Sequence, residues 1–422
     1  MKKVLLSVFT FGALFSSMAQ TPVSDNVVTG TGYVNQHWYS LETGTKTNSN
    51  ALNWTIAIDT RLGMMGGKFR FNSLNGKLYV LPNASAAEIA NILTADTTGA
   101  IANGELFDSD ETWNKGAFNI PAVSTDQFDY GWGAYSSASH NLEANRVFLA
   151  KLGSDFYKLK IDMLSMQGKV VITYAKIGAA QTSTLEVPMT QYTSKNFIYA
   201  DIVGAQVVDR EPAKADWDLF FGKYYTLYSP GTHYGVAGVL SNLGVETAMV
   251  VQPNAAAYNY QGTEVFSPNA NIIGWDHWKA AGMSGTSIAD TVVYFVKDKA
   301  GSIWKLLFTE FVSGTGSGAD AGKYGFEKTK VGGLGVNGIE ENLFLSVYPN
   351  PANETASVVV DNKAQTTVEI VNLLGGVVYS NTITSNGLQT VTVPVAELSN
   401  GLYHVVITSA GQKATQKLMI QR

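Results

Sequence analysis

The chain has 422 residues, 45% hydrophobic and 15% charged, with 41 glycines and no cysteine. One core seldom extends past roughly 250–300 residues, so at least two domains are expected, and the apolar fraction excludes disorder of the charged, low-hydropathy kind. Without cysteine there is no disulfide, thiolate metal site, iron–sulfur cluster, catalytic thiol or cysteine-linked lipid anchor, and 29 basic against 34 acidic side chains, with no basic block, argue against nucleic acid or an anionic membrane as partner.

At the N-terminus, Lys2 and Lys3 precede the apolar run Val4–Phe15, and Ser17-Met18-Ala19 supplies small residues ahead of Gln20. Charged start, apolar centre and small-x-small exit predict a secretory signal peptide over residues 1–19. The run of 12 residues is short of the roughly 20 that cross a bilayer, and no later stretch is long and apolar enough, so no membrane-spanning segment is expected. Loss of the two lysines moves the formal charge from −5 to −7.

The chain then repeats its own landmarks. His37 to Gly44 followed by Asn53-Trp54 is answered by Phe197 to Gly204 followed by Asp216-Trp217, with Tyr39 and Tyr199 160 positions apart. Ser73-Leu74-Asn75-Gly76 is answered by Ser241-Asn242-Leu243-Gly244, Gly131-Trp132 by Gly274-Trp275, Arg146-Val147-Phe148 by Val293-Tyr294-Phe295, and Gly168-Lys169 by Gly322-Lys323. Such ordered self-similarity predicts a tandem duplication. Both copies are dense in β-branched and aromatic runs such as Lys68 to Asn72, Val170 to Tyr174 and Ile303 to Phe308, separated by Gly and Asn-Gly turns. Ala84 to Thr94 is the one helix-like patch, and the Trp and Tyr landmarks read as core anchors.

Gly332 to Asn342 reads as a flexible spacer, since its G-x-G-x-x-G match lacks a strand–turn–helix setting. From Leu343 to Arg422, short β-branched runs alternate with turns about every 10 residues, which predicts a small β-sandwich. The expected fold class is therefore all-β: two tandem related β modules, 20–190 and 191–331, a linker over 332–342, and a sandwich over 343–422.

Two resemblances add to this reading. Tyr348-Pro349-Asn350-Pro351, Leu374-Gly375-Gly376, Asn400-Gly401-Leu402-Tyr403 and the terminal Lys417-Leu418-Met419-Ile420 resemble the type A C-terminal sorting domain of the type IX secretion system. The resemblance implies a sandwich that directs passage across the outer membrane of a member of the Bacteroidetes, with the secretion machinery as partner and a cargo secreted or held at the surface. The duplicated part is similar to the HmuY family of secreted haem-binding proteins. The similarity rests on Arg210-Glu211-Pro212 to Leu219, Val239 to Asn242, Tyr294 to Lys297, Ile303 to Thr309, and the matching Arg146 to Leu149 and Gly168 to Tyr174. It implies two HmuY-like modules, non-catalytic capture of haem or a related small ligand, and an outer-membrane receptor as partner.

In that family two axial histidines lie between the Trp-Asp hairpin and the closing strand. Here the interval holds His140 in the first copy, and His233 and His277 in the second, with Met283 beyond. Haem iron accepts His or Met, so His277, Met283 and His140 are the candidate ligands. His37 is expected to pack beside Trp38, and His233 to sit on a hairpin tip. The alternative is a structural or adhesive surface protein that keeps the fold without haem ligation. No HExxH, G-x-S-x-G or P-loop is present, and Asp108-Ser109-Asp110-Glu111 lacks the glycine and distal glutamate of a calcium loop, so it reads as a turn and no enzyme is expected.

Overall fold

A computed structural model describes residues 21–61, 66–81, 97–282, 285–332, 344–362, 365–372, 375–384, 387–409 and 412–421, together with Ile89 and Ile92. The signal segment and the spacer after Gly332 lie outside the described residues, as does the helix-like patch apart from Ile89 and Ile92.

Strands dominate because the sequence alternates. In order they are β1 (Val23–Val28), β2 (Asn35–Tyr39), β3 (Lys46–Asn50), β4 (Ile56–Asp59), β5 (Phe69–Phe71), β6 (Gly76–Val80), β7 (Gly133–Tyr135), β8 (Leu142–Ala144), β9 (Phe148–Leu152), β10 (Asp155–Leu164) and β11 (Lys169–Lys176). The second half supplies β12 (Ser183–Pro188), β13 (Phe197–Asp201), β14 (Gln206–Val208), β15 (Leu219–Ser229), β16 (Thr232–Ser241), β17 (Glu246–Val251), β18 (Lys279–Gly282), β19 (Gly285–Ile288), β20 (Val292–Lys297), β21 (Ile303–Val312) and β22 (Lys323–Gly332). On β11, Val170, Ile172 and Tyr174 point inward while the residues between them are half-buried, the period of two that a one-sided sheet needs.

The sheets show two bodies built to one plan. In the first, β12-β11-β10-β9-β6 pair in sequence, with β8 and β7 continuing along β10, and β14-β13-β4-β5 form a second sheet. In the second body the corresponding orders are β1-β22-β21-β20-β17 and β3-β2-β15-β16. The N-terminal arm β1–β3 thus takes in the second body the place that β12–β14 take in the first. Register repeats the correspondence: Val28 lies opposite Lys323 as Pro188 lies opposite Lys169. So do the turns: the Thr29 N–H donates to Gly322 O at 2.9 Å, and the Met189 N–H donates to Gly168 O at 2.7 Å. Gly168 and Gly322 hold positive φ, 81° and 72° respectively, a conformation that costs an L side chain about 1 kcal/mol or more.

The second body therefore borrows three strands, β1–β3, from the first repeat, and the first body borrows β13 and β14 from the second. The first core runs from Ile56 and Phe69 on β4 and β5 through Leu159 and Ile172 to Ile198 and Ala200 on β13. The second joins Val27, Tyr39 and Leu41 of the arm to Phe221, Tyr294, Leu306 and Phe326. Three sheets cross residue 190, so the folded bodies are not the consecutive stretches 20–190 and 191–331. The reason is that equivalent strands of a duplicated chain can complete either sheet; pairing across the repeats satisfies the same backbone groups. One landmark also shifts. Trp132 and Trp278 are both fully buried, one in each body, whereas Trp275 is half-buried beside Tyr228.

The last strands are β23 (Phe344–Tyr348), β24 (Thr355–Asn362), β25 (Thr366–Val371), β26 (Val377–Ile383), β27 (Gly387–Pro394), β28 (Gly401–Ser409) and β29 (Gln412–Ile420). They stack as β23-β24-β27 against β26-β25-β28-β29. Between the sheets lie Val358, Val360, Val368, Ile370, Val405 and Ile407, each worth roughly 1.5–3 kcal/mol on burial. The expected all-β class and the C-terminal sandwich are both present.

Candidate functional site

A cleft open to solvent lies where the two bodies meet; together with the solvent at its mouth it spans about 750 Å³. Arm exchange creates it, because β2 and β15 of one body and β4, β5 and β13 of the other all turn side chains toward the junction. Trp54 and Trp217, on the segments that enter β4 and β15, occupy equivalent places. Each is fixed by an asparagine: Asn72 Nδ2 donates to Trp54 O at 3.0 Å, and Asn242 Nδ2 donates to Trp217 O at 2.7 Å.

Arg210, between β14 and β15, is 7% exposed. Its guanidinium donates to Gln36 Oε1 and Asn50 O, both at 2.8 Å, and to Ser49 Oγ at 3.3 Å. It also lies 5.1, 5.6 and 5.0 Å from the ring centres of Trp38, Trp54 and Tyr199. A buried charge is tolerated only when its donors are matched, and here hydrogen bonds and ring faces from both repeats do so. Burial pushes the neighbouring Glu211 carboxyl up to about 7, against the hydrogen bonds it accepts from Tyr199 Oη (2.8 Å) and Asn196 N–H (3.1 Å).

The facing wall is the loop that carries the Asp108–Glu111 run. Asp108 Oδ1 accepts from the backbone N–H groups of Phe71 (3.1 Å) and Ala117 (2.7 Å), and its other oxygen is 3.4 Å from Arg70 Nε; burial raises its pKa. Arg70 is in turn held by the carbonyls of Ser109 and Thr112 and lies over Trp113. Trp113 drives between the bodies: its indole N–H donates to Ser241 O at 2.7 Å and its ring meets Trp217, Phe220 and Phe197 at 6.0–6.1 Å. Asn271 Nδ2 donates to Asp110 at 2.7 Å, and Phe107 stacks on His233 at 4.0 Å. The acidic run is thus a clamp between bodies, and among the described residues no three His, Asp or Glu side chains gather to hold a metal.

The haem-ligand candidates lie elsewhere. His140 is on the exposed turn between β7 and β8, with Nδ1 2.8 Å from Tyr135 Oη. His277 is exposed, 3.7 Å from Asp276, and Met283 lies outside the described residues. No described residue lining the cleft is His or Met. His37 is buried on β2 opposite Phe221, and His233 is near the tip of the β15–β16 hairpin. Sequence reasoning missed Trp113 and the use made of Arg210, although Arg210-Glu211 embedded among aromatic landmarks was a signal for a buried polar cluster.

In the C-terminal sandwich the motif residues converge on β29. Asn350 Nδ2 donates to Lys417 O, and Met419 N–H donates to Asn350 Oδ1, both at 2.8 Å, so the flanking Pro349 and Pro351 sit against the last strand. Gly401, Leu402 and Tyr403 pair with Ile420, Met419 and Leu418, while Tyr403 Oη donates to Ser399 O and exposed Lys417 stands opposite His404. Gly375, with φ of 84°, donates to Asn372 O in the turn before β26.

Residues 346–421 match the family described as the secretion system C-terminal sorting domain. This domain marks the chain for export by type IX secretion to the cell surface or the medium. No curated protein matches the chain. Among solved structures it is similar to dimeric latent PorU from Porphyromonas gingivalis, at 12% identity and a TM-score of 0.17, over 63% of this chain and 31% of that one. It is also similar to the BSP domain of a biofilm associated protein, at 11% identity and a TM-score of 0.18, over 95% and 81%. The chain spans about a third of the length of the PorU chain, and neither likeness defines a shared fold. Among the described residues no helix is long and apolar enough to cross a membrane.

Proposed function

We propose that the exported product is a non-catalytic binding protein whose ligand site is the cleft between the two bodies. The observation that carries this reading is the cleft itself. A recess at a domain junction, walled by indole and phenol rings with a few fixed charges, has the lining usual for a small-molecule site. A binding role is favoured over catalysis because the buried carboxylates are committed to fixed donors: Asp108 to two backbone N–H groups, and Glu211 to Tyr199 and Asn196. Capture of haem through His or Met would require those side chains in the cleft, and its described lining holds neither. The ligand is therefore read as held by rings and hydrogen bonds. The test is titration of the mature protein, followed by tryptophan fluorescence, with a panel that includes haemin, oligosaccharides and aromatic acids. Saturable quenching that disappears in Ser73→Trp, which plugs the half-buried mouth, supports the reading. No response to any member, or a response that Ser73→Trp leaves intact, overturns it.

A further inference from the structure

Resting on the reading of the cleft as a ligand site, we infer that its ligand is an acidic sugar, a pyranose ring that bears a carboxylate. The charges lining the cleft are unequally used. Arg70 and Arg210 are each engaged by oxygen partners, carbonyls and Asp108 for Arg70 and carbonyl and side-chain oxygens for Arg210. Lys223, half-buried on β15 at the same cleft, has no hydrogen-bond or ion-pair partner among the described residues. An ammonium set into an aromatic-walled recess gains most from an anion that arrives with the ligand, because the surrounding rings exclude part of its water.

The rest of the recess selects the body of that ligand. Trp113, Tyr224 and Tyr225 are half-buried and line the opening, so they offer ring surface to a flat apolar face. Beside them, Asp110 spends one carboxylate oxygen on Asn271 and keeps the other, and the Ser73 hydroxyl has no partner among the described residues. A purely apolar acid would cover these groups without pairing them, at a cost for each buried polar atom. A pyranose satisfies all three demands together: its C–H face packs on a ring, its hydroxyls pair with Asp110 and Ser73, and its carboxylate meets Lys223.

The experiment titrates the mature protein with trigalacturonate, cellotriose, benzoate and haemin, by calorimetry and tryptophan fluorescence, in wild type, Lys223→Gln, Lys223→Arg and Ser73→Trp. Trigalacturonate is expected to bind at least tenfold more tightly than cellotriose. Lys223→Gln should remove that margin, Lys223→Arg should keep most of it, and added salt should narrow it. Near-UV circular dichroism confirms that each variant folds. Equal binding of cellotriose, tighter binding of benzoate or haemin, or an unchanged margin in Lys223→Gln overturns the acidic-sugar assignment. If that binding is still lost in Ser73→Trp, the cleft stands as a ligand site. Absence of binding by every probe, or binding that Ser73→Trp does not touch, overturns both.

Discussion

Replacing Tyr39 with alanine should loosen the second body and leave the first one closed. Tyr39 is in the first repeat by position, yet its side chain is 0% exposed within the core of the second body. Its ring meets Phe221 and Phe326 edge-on at 6.1 and 5.2 Å, carries Lys328 Nζ at 4.9 Å, and its hydroxyl donates to Asp25 at 2.8 Å. Truncation of a buried aromatic side chain costs about 3–5 kcal/mol. Since every 1.4 kcal/mol is tenfold, local opening should become about 10³-fold more frequent, within a total stability of about 5–15 kcal/mol. Hydrogen–deuterium exchange read by peptide distinguishes the bodies. Protection should fall across Val292–Val312 and Lys323–Gly332 and persist across Phe148–Leu164 and Lys169–Lys176. The reciprocal change, Ile198→Ala on β13, should cost about 2–5 kcal/mol and invert the pattern, because Ile198 is in the first core. Loss of protection in the body nearer in sequence, for either variant, would refute the exchange of arms.

Asn242→Ala should lower stability by about 1–3 kcal/mol, measured by urea unfolding, because the carbonyls of Trp217 and Lys214 lose a buried donor. Glu211 gives a pH dependence of definite sign. Its carboxyl titrates near 7 when folded against an ordinary 4.5, so the folded state holds the extra proton; the associated stability is whole below about 4.5 and is lost as pH rises through about 7. Thermal unfolding between these limits should show Tm falling with pH, and less steeply in Glu211→Gln; the slope that remains includes Asp218, which burial lifts to about 6. Asn350→Ala in the sorting domain removes both bonds between the Pro-Asn-Pro turn and β29; at an exposed site the cost is about 1 kcal/mol, and cell fractionation should show less protein exported.

Local signals in the sequence carried much of the architecture. Alternating β-branched runs such as Val368-Glu369-Ile370 give the strands, and the motifs that end in Lys417 to Ile420 mark the export domain, because both are readable over a few residues. Which sheet a strand joins is a different matter. Val23–Val28 and Ser183–Pro188 present equivalent edges, and the bonds that distinguish them run across some 290 positions, as from Thr29 to Gly322. The cleft was hidden for the same reason. Arg210 is defined by Gln36, Ser49 and Asn50 from one arm and by Tyr199 from the other, and Trp113 is defined by Ser241. The histidines drew attention through their chemistry, but His140 and His277 stand on exposed turns that chemistry alone could not place.

The pairing of β1 with β22 has a consequence for the life of the exported product. Val23 lies opposite Lys328, so the chain enters the first strand and leaves the last one at the same end of one ladder. The chain ahead of Val23 and the sorting sandwich beyond the spacer are thus tied to a single seam. An exopeptidase that reached either end of this region would have to unzip a strand hydrogen-bonded to the strand at the opposite end.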